Sequence, residues 1–358
     1  MTRILVVALL TLGDPGRLTG GYLYHRRIAD LAPSSGARIV FLSIPERPFP
    51  LPALRARAAL QRAYRLGAEA IVLDSIAAAF VGPWLSIERP KLPLIGMLHQ
   101  RPGGIDHGVV RTATQARLDR LAYHRARRLL VASESLVEEL IADGIPRQRL
   151  QVVPPGRDVA EAAVTSPGDL RQGRKAAFLC VGNWVERKGI HSLLDAFARL
   201  PPGAATLHLA GDDRIEPDYT ARLRARLTDP ALAGRVVMHG RLSVEQVAAL
   251  YQAADAFVLA SMREPYGTVY GEAMAYGLPV VGWRAGNLPY LAGHEREGLL
   301  VTPGDVVGLA VALERLAGDP ALRRQLGEAG RHRALGRPTW EETAALFFDA
   351  VRKVIEQG

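Results

Sequence analysis

The stretch that most constrains the fold is residues 256–281, AFVLASMREPYGTVYGEAMAYGLPVV. Ala256–Ala260 is an apolar run with the length of a strand buried on both faces. Thr268–Tyr276 contains no proline, and its only internal break is Gly271. It stops at Gly277 with Pro279 just beyond, the pattern of a helix end. Val280 and Val281 then open another strand. Strand, loop, short helix, strand is the grammar of an α/β protein with a parallel sheet. Glu264 lies on the loop at the strand's carboxyl end, where open α/β sheets bind ligands. Gly267 and Thr268 lie at the helix start, where free backbone N–H groups favour a phosphate. Glu272 is about one turn further, roughly 6 Å along the axis. Two carboxylates flanking a phosphate cradle suit a sugar nucleotide, which has hydroxyls on both sides of its diphosphate. Two acids that merely solvate a loop and a helix are the plain alternative.

The same alternation runs through the rest of the chain. Arg3–Leu10, Ala37–Ser43, Ala70–Asp74, Leu94–Leu98 and Arg128–Ala132 read as strands. Gly13, Gly16, Gly20 and Gly21 follow the first of these, before a helix over Tyr22–Leu31. Leu51–Leu66 reads as a helix with arginines at 55, 57, 62 and 65. It suits a surface helix packed on the sheet, or one lying on an anionic membrane. Ser133 opens a helix to Gly144 with a capping pattern. Val152–Val153 is a short strand, and residues 159–175 show no sustained period and read as a linker. A second alternation starts at Ala176–Val181. Lys188 and Gly189 there precede a helix over Ile190–Leu200, placing a cation near amides that favour anions. Ala205–Leu209 and Val236–Met238 are further strands, and Trp340–Ile355 is an amphipathic final helix. Two domains are expected from the 358 residues, over 1–165 and 166–337, with 338–358 as a closing helix.

His99 directly follows a strand beside the glycine-rich RPGG. A histidine there is placed for a ligand, or else is simply solvated or packed. His107, His124, His191, His208, His239 and His294 have no metal-ligand spacing, so no bound metal is expected. The single Cys180 lies in the apolar run AAFLCVG, which points to packing and excludes a disulfide framework. A reducing cytoplasm fits. The apolar amino terminus reads as a strand, not a leader, and no run approaches the ~18 residues of a membrane span.

Net charge is +9 and uneven: residues 1–161 hold 22 Lys+Arg against 14 Asp+Glu, or +8. That half is expected to meet an anionic partner such as a phosphorylated acceptor or an acidic lipid surface. Arginine coded in place of lysine on solvated faces is the alternative. Nucleic acid is not expected, because no aromatic-basic interleaving accompanies the charge.

The run from Glu264 to Val281 resembles the Glu-x7-Glu signature of family-four retaining glycosyltransferases, close to E-P-x-G-x-x-x-x-E-A-M-A-x-G-x-P-V-V. The resemblance extends over almost the whole chain. It implies the GT-B fold: two Rossmann-like domains facing across a cleft, with a terminal helix crossing back to the first. It implies that Glu264 contacts the donor sugar and Glu272 the nucleotide ribose. His99 would face the reaction centre, and Gly20–Gly21 would close over the donor phosphate. Lys188 matches the lysine of the family's G-R-x-x-x-x-K-G diphosphate clamp. The arginine position holds Asn183, a departure that removes one charged contact unless Arg187 or another residue supplies it. Tyr266, Gly267, Thr268, Val269, and Leu242 beside the base, complete the donor contacts. His99, Lys188 and Glu264 are the expected catalytic residues. The implied reaction is metal-independent hexosyl transfer with retention, from a nucleoside-diphosphate sugar to a small-molecule or lipid-linked acceptor, with no cofactor. A sugar-nucleotide epimerase and a non-catalytic sugar-nucleotide binder remain alternatives.

Overall fold

Strands in a parallel sheet covered on both faces have no polar face to show, which is why most strands of this chain read as nearly unbroken apolar runs. A computed structural model describes residues 4–16, 20–105, 108–158 and 167–357. His107, the Arg3 start of the first run and residues 159–166 of the expected linker lie outside them. The chain divides into two units, residues 1–156 with 338–358, and residues 157–337.

The first unit contains β1 (Leu5–Leu12), α1 (Gly20–Leu31), β2 (Ala37–Ile44), α2 (Ala53–Arg65), β3 (Ala70–Asp74) and α3 (Ser75–Ile87). It continues with β4 (Leu94–Leu98), α4 (Val109–Arg125), β5 (Arg128–Val131), α5 (Glu134–Ala142) and β6 (Leu150–Val152). The six strands form one sheet in the order β2-β1-β3-β4-β5-β6, and every pairing is parallel. Successive residues of β1 face opposite cores. Val7 and Leu9 join the cluster under α1, while Ala8 and Leu10 join the one under α2 to α5. Gly20 and Gly21 form the first turn of α1, not the loop before it. Ser133 caps α5, its hydroxyl accepting the Leu136 amide at 3.3 Å.

The second unit contains β7 (Ala176–Val181), α6 (Ile190–Phe197), β8 (Ala205–Ala210), α7 (Pro217–Arg226), β9 (Val236–Gly240) and α8 (Val244–Ala253). After these come β10 (Ala256–Leu259), α9 (Thr268–Ala275), β11 (Val280–Trp283), α10 (Leu288–Leu291), β12 (Gly298–Val301), α11 (Val306–Gly318) and α12 (Pro320–Leu335). Its strand order, β12-β11-β10-β7-β8-β9, is again all parallel and reverses direction between β7 and β10. In this doubly wound arrangement that reversal opens a crevice at the strands' carboxyl ends. Residues 170–175 belong to this unit. The Leu170 side chain is in its core, and Arg171 grips Asp255 with two nitrogens at 2.9 and 2.6 Å.

The last helix, α13 (Trp340–Glu356), belongs to the first unit. Thr339 and Glu342 form a capping box at its start. Trp340, Phe347, Phe348, Val351 and Val354 pack with Tyr24 and Ile28 of α1 on one face of the sheet. The Tyr24 hydroxyl donates to the Val153 carbonyl, and the Thr343 hydroxyl to the Pro154 carbonyl, both at 3.1 Å. Gly156 allows the approach, since a Cβ there would lie 2.4 Å from the Trp340 Cα.

Helices α3 and α4 cross closely for a similar reason. A Cβ on Gly82 would stand 2.3 Å from the Leu118 carbonyl oxygen. Next to this crossing the buried Asp119 accepts the Gly103 amide at 2.8 Å, tying down the loop after His99. Burial pushes the Asp119 carboxyl up to about 7, although the Gly103 amide works against it. The folded state therefore holds this proton after the unfolded chain has released it near pH 4. Stability from this group is intact below pH 4, falls by at most about 1.4 kcal/mol per pH unit between 4 and 7, and is level above. Asp119→Asn, which keeps an acceptor for Gly103, should remove that slope. The urea midpoint of the variant, relative to the unmodified protein, should rise between pH 5 and pH 8; a constant difference would show that Asp119 ionises in the fold as it does in water.

Candidate functional site

The loops after β7 and β10 flank the point where the second sheet reverses, and the backbone stitches them together. The Met262 amide donates to the Arg187 carbonyl at 2.9 Å, and the Ser261 hydroxyl donates to the same oxygen at 3.1 Å. Only glycine fits at 189. Its φ is +66°, and a Cβ would lie 1.9 Å from the Ala260 carbonyl oxygen. Gly189 thus lets one loop lie against the end of β10 and seats the adjacent Lys188 beside Glu264.

Lys188 Nζ lies 2.6 Å from Glu264 Oε1, and the two residues are only 9% and 8% exposed. Arg187 Nη1 reaches the same oxygen at 3.2 Å, and Ser261 Oγ donates to it at 3.2 Å. Arg187 is thus a second cation beside this carboxylate. Among the described residues, Glu264 Oε2 receives no hydrogen bond, and Glu264 keeps that oxygen for something else. A second loop supports this one from behind. The Asn287 amide donates to the Glu264 carbonyl at 3.0 Å, and its side-chain nitrogen donates to the Tyr266 carbonyl at 2.8 Å. Gly286, at φ +55°, leaves no room for a Cβ against the Glu264 backbone.

Gly267 is the N-cap of α9 at φ +81° and offers no side chain to cap it. Among the described residues the amides of Gly267, Thr268 and Val269 donate to no protein acceptor, while the Tyr270 amide closes onto the Gly267 carbonyl. One turn on, Glu272 Oε2 accepts the Tyr251 hydroxyl at 3.1 Å. Burial raises the Glu272 carboxyl above its ordinary value, with Asp158 adding to the effect, while Tyr251 and the charge of Lys188 oppose it. Lys188 thus acts on both acids. Tyr251 is itself held by stacking on Tyr276, ring centres 5.5 Å apart. Tyr266 is half-buried; its hydroxyl accepts from Arg337 Nη1 at 3.3 Å, and burial raises it above the usual phenol range.

Leu242 packs at the margin of the second unit's core. Asn183 is exposed, and its Oδ1 accepts the Asp212 amide at 3.3 Å, bracing two loops against each other. His99, Gly20 and Gly21 lie in the first unit. A Cβ on Gly21 would touch the His99 ring at 3.4 Å, so Gly21 makes room for that imidazole. Sequence spacing misses Ser261, Tyr251 and Asn287, which hold the two acids and their loop. It also misses His25 and Asp74, which meet His99 in space: His25 Nε2 is 3.3 Å from His99 Nε2 and 3.2 Å from Asp74 Oδ2.

Residues 5–156 match a family model described as a glycosyl transferase 4-like domain, and residues 166–333 match one described as glycosyl transferases group 1. The chain belongs to this glycosyltransferase family and has its two-domain α/β GT-B fold. It is similar to the lipopolysaccharide core biosynthesis glycosyltransferase LpsE of Rhizobium meliloti, 33% identical over 223 residues. That match spans 61% of this chain and 62% of LpsE. In structure it is similar to sucrose-phosphate synthase from Thermosynechococcus elongatus, with a TM-score of 0.82 at 23% identity over 99% of this chain and 100% of that one. It is also similar to Anabaena HepE in complex with UDP-glucose, with a TM-score of 0.78 at 22% identity over 97% and 99% of the two chains. Among the described residues, no helix is long and apolar enough to cross a membrane.

The close approach at Gly189 can be tested directly. Gly304 has a similar φ of +84° but nothing within 4 Å of a Cβ. Gly304→Ala should cost about 1–2 kcal/mol of unfolding free energy, the backbone term alone. Gly189→Ala should cost at least about 3 kcal/mol, because the loop must also leave β10. Equal urea midpoints for the two variants would show that the contact with Ala260 contributes nothing.

Proposed function

We propose that this glycosyltransferase takes its sugar from a nucleoside diphosphate and transfers it with retention at the anomeric carbon. The observation that carries the reading is the convergence of three features at one sheet reversal: an uncapped helix start, a buried lysine, and an acid on either side. In this reading the diphosphate meets the amides of Gly267, Thr268 and Val269. Lys188 Nζ, with two N–H groups beyond the one facing Glu264, stabilises the charge that develops as the diphosphate leaves. The open oxygen of Glu264 accepts from sugar hydroxyls. Glu272, held by Tyr251, accepts from the ribose. His99 hydrogen-bonds the transferred sugar. These residues supply the positive charge and hydrogen bonds of such a transfer without calling on a metal ion or a cofactor.

Support for a uridine nucleotide comes from HepE, a protein of similar fold solved with UDP and with UDP-glucose. We propose an acceptor that is anionic and lipid-linked, in keeping with the basic first unit and with LpsE, whose name assigns it to lipopolysaccharide core biosynthesis. The exposed arginines of α2 at 55, 62 and 65 are where that unit would meet an acidic lipid surface. The one argument for a sugar-nucleotide binder without turnover is the missing arginine at 183, and we propose that Arg187, beside Glu264, supplies a cation in its stead.

Calorimetry with UDP and a panel of UDP- and GDP-sugars tests the site. Glu272→Ala and Lys188→Met should each weaken nucleotide binding about tenfold or more, with circular dichroism unchanged. Unchanged affinity in both variants would refute the assignment. Tight binding with no transfer to any acceptor, and no donor hydrolysis, would leave a binding protein.

A further inference from the structure

In the first unit, three elements deliver titratable side chains to one buried spot that the residues proposed to bind the diphosphate do not include. Asp74 ends β3, His25 lies on α1 and His99 follows β4. Asp74 and His25 are 2% and 1% exposed. Asp74 is loaded with donors. The Thr11 hydroxyl donates to Oδ2 at 2.7 Å, the Ile76 amide donates to Oδ1 at 3.2 Å, and the Ser75 hydroxyl lies 3.4 Å from Oδ1. Burial alone would raise this carboxyl, but His25, His99 and Thr11 outweigh it and hold it at about 2.

An ionised carboxylate only accepts, so His25 must donate to Asp74 Oδ2 from its Nε2. Among the described residues the buried Nδ1 of His25 has no partner. With the hydrogen on Nε2, Nδ1 carries a bare lone pair and not a stranded N–H. His25 Nε2 is also 3.3 Å from His99 Nε2. Two N–H groups cannot point at each other, so His99 Nε2 carries no hydrogen. Burial above all pulls the His99 imidazolium down to about 3, against the pull of Asp74. The ring is neutral at physiological pH, and its one hydrogen is on Nδ1. Among the described residues Nδ1 has no protein partner, and it is not among the sealed polar atoms. The ring is held by the edge of Tyr24 at 4.8 Å between centres, and the His99 backbone amide donates to Ser75 Oγ at 3.3 Å.

We propose that Asp74 and His25 are positioning residues that fix His99 as its Nδ1–H tautomer, so that it serves as a hydrogen-bond donor to an oxygen of the transferred sugar. Its function here rests on the glycosyl-transfer reading above. Both contacts meet at His25 Nε2, whose one hydrogen lies between Asp74 Oδ2 and His99 Nε2, because the carboxylate at the buried end can only accept. Replacing that carboxylate with an amide removes the constraint: the amide nitrogen can donate to His25 Nε2, whose hydrogen then moves to Nδ1, and His99 is free to carry its own hydrogen on Nε2.

Long-range proton–nitrogen NMR on the full chain, with imidazole nitrogens labelled, reads the tautomer directly. The unmodified protein should show His99 protonated at Nδ1 and not titrating between pH 5 and 8. Asp74→Asn should move the hydrogen to Nε2 and lower donor turnover about tenfold, while the affinity for UDP stays within about twofold. His25→Gln should also release the tautomer and gives a second variant should Asp74→Asn fold poorly. An Nε2–H tautomer in the unmodified protein, or a His99 that titrates near 6.5, would overturn the proposal. So would stoichiometric zinc or iron in the purified protein whose removal shifts the His25 and His99 nitrogens, since the two imidazoles and Asp74 would then be ligands. The tautomer decides the matter whether or not a nucleotide sugar is turned over, so a failure of transfer counts against the proposed function alone.

Discussion

The candidate site of the second unit is organised around one buried ion pair, Lys188 with Glu264. Taking both groups out of water costs several kcal/mol each, and a lone pair recovers that only with good geometry and further hydrogen bonds. Here the geometry is supplied. One carboxylate oxygen collects Lys188, Arg187 and Ser261, and the loops that carry them are joined through the Arg187 carbonyl. The glycines at 189 and 286 follow from this, since each lets a backbone segment approach where a Cβ would collide. The pair is also asymmetric, because among the described residues it leaves one glutamate oxygen and two lysine hydrogens unspent. A purely structural ion pair has no need of that surplus, whereas a site for a polar, anionic ligand does.

Much of this was legible in the sequence, and the exceptions have physical reasons. Strands buried on both faces are largely apolar, so β1, β3 to β5, β7, β8 and β10 stand out within a residue or two, and the half-exposed edge strand β2 does so through its apolar run from Ile39 to Leu42. Helix α9 is legible from its stop at Gly277 and Pro279. Helix α3 is not, because it is apolar nearly all round and carries Gly82 and Pro83. Those residues look like breaks, yet Gly82 is what allows α4 to pack against it. Strand β12, four residues inside a glycine-rich stretch, has too little length to show a period. The acids and the lysine of the candidate site were legible because one loop and one helix start carry them. Tyr251 and Asn287 were not, because each reaches the site from another element. The Asp74–His25–His99 chain is the extreme case: no local spacing connects it, and only the sheet order brings the ends of β3 and β4 together with α1.

The two units share a strand architecture but treat the helix start at their sheet reversal in opposite ways. In the first unit the reversal lies between β1 and β3. Asp74 caps α3 there with its own carboxylate, which accepts the Ile76 amide and is gripped by Thr11 from β1. The positive end of that helix is already neutralised by the protein's own anion. In the second unit the reversal lies between β7 and β10, and the helix that follows β10 begins at a glycine without a capping side chain. Among the described residues its first amides have no acceptor, and a lysine pairs with the glutamate of the preceding loop. A diphosphate entering the first unit would compete with a covalently attached carboxylate already in place; entering the second, it would meet donors with no partner. This difference in capping is why we propose the nucleotide site within residues 157–337 and, in the first unit, a carboxylate that orients a histidine.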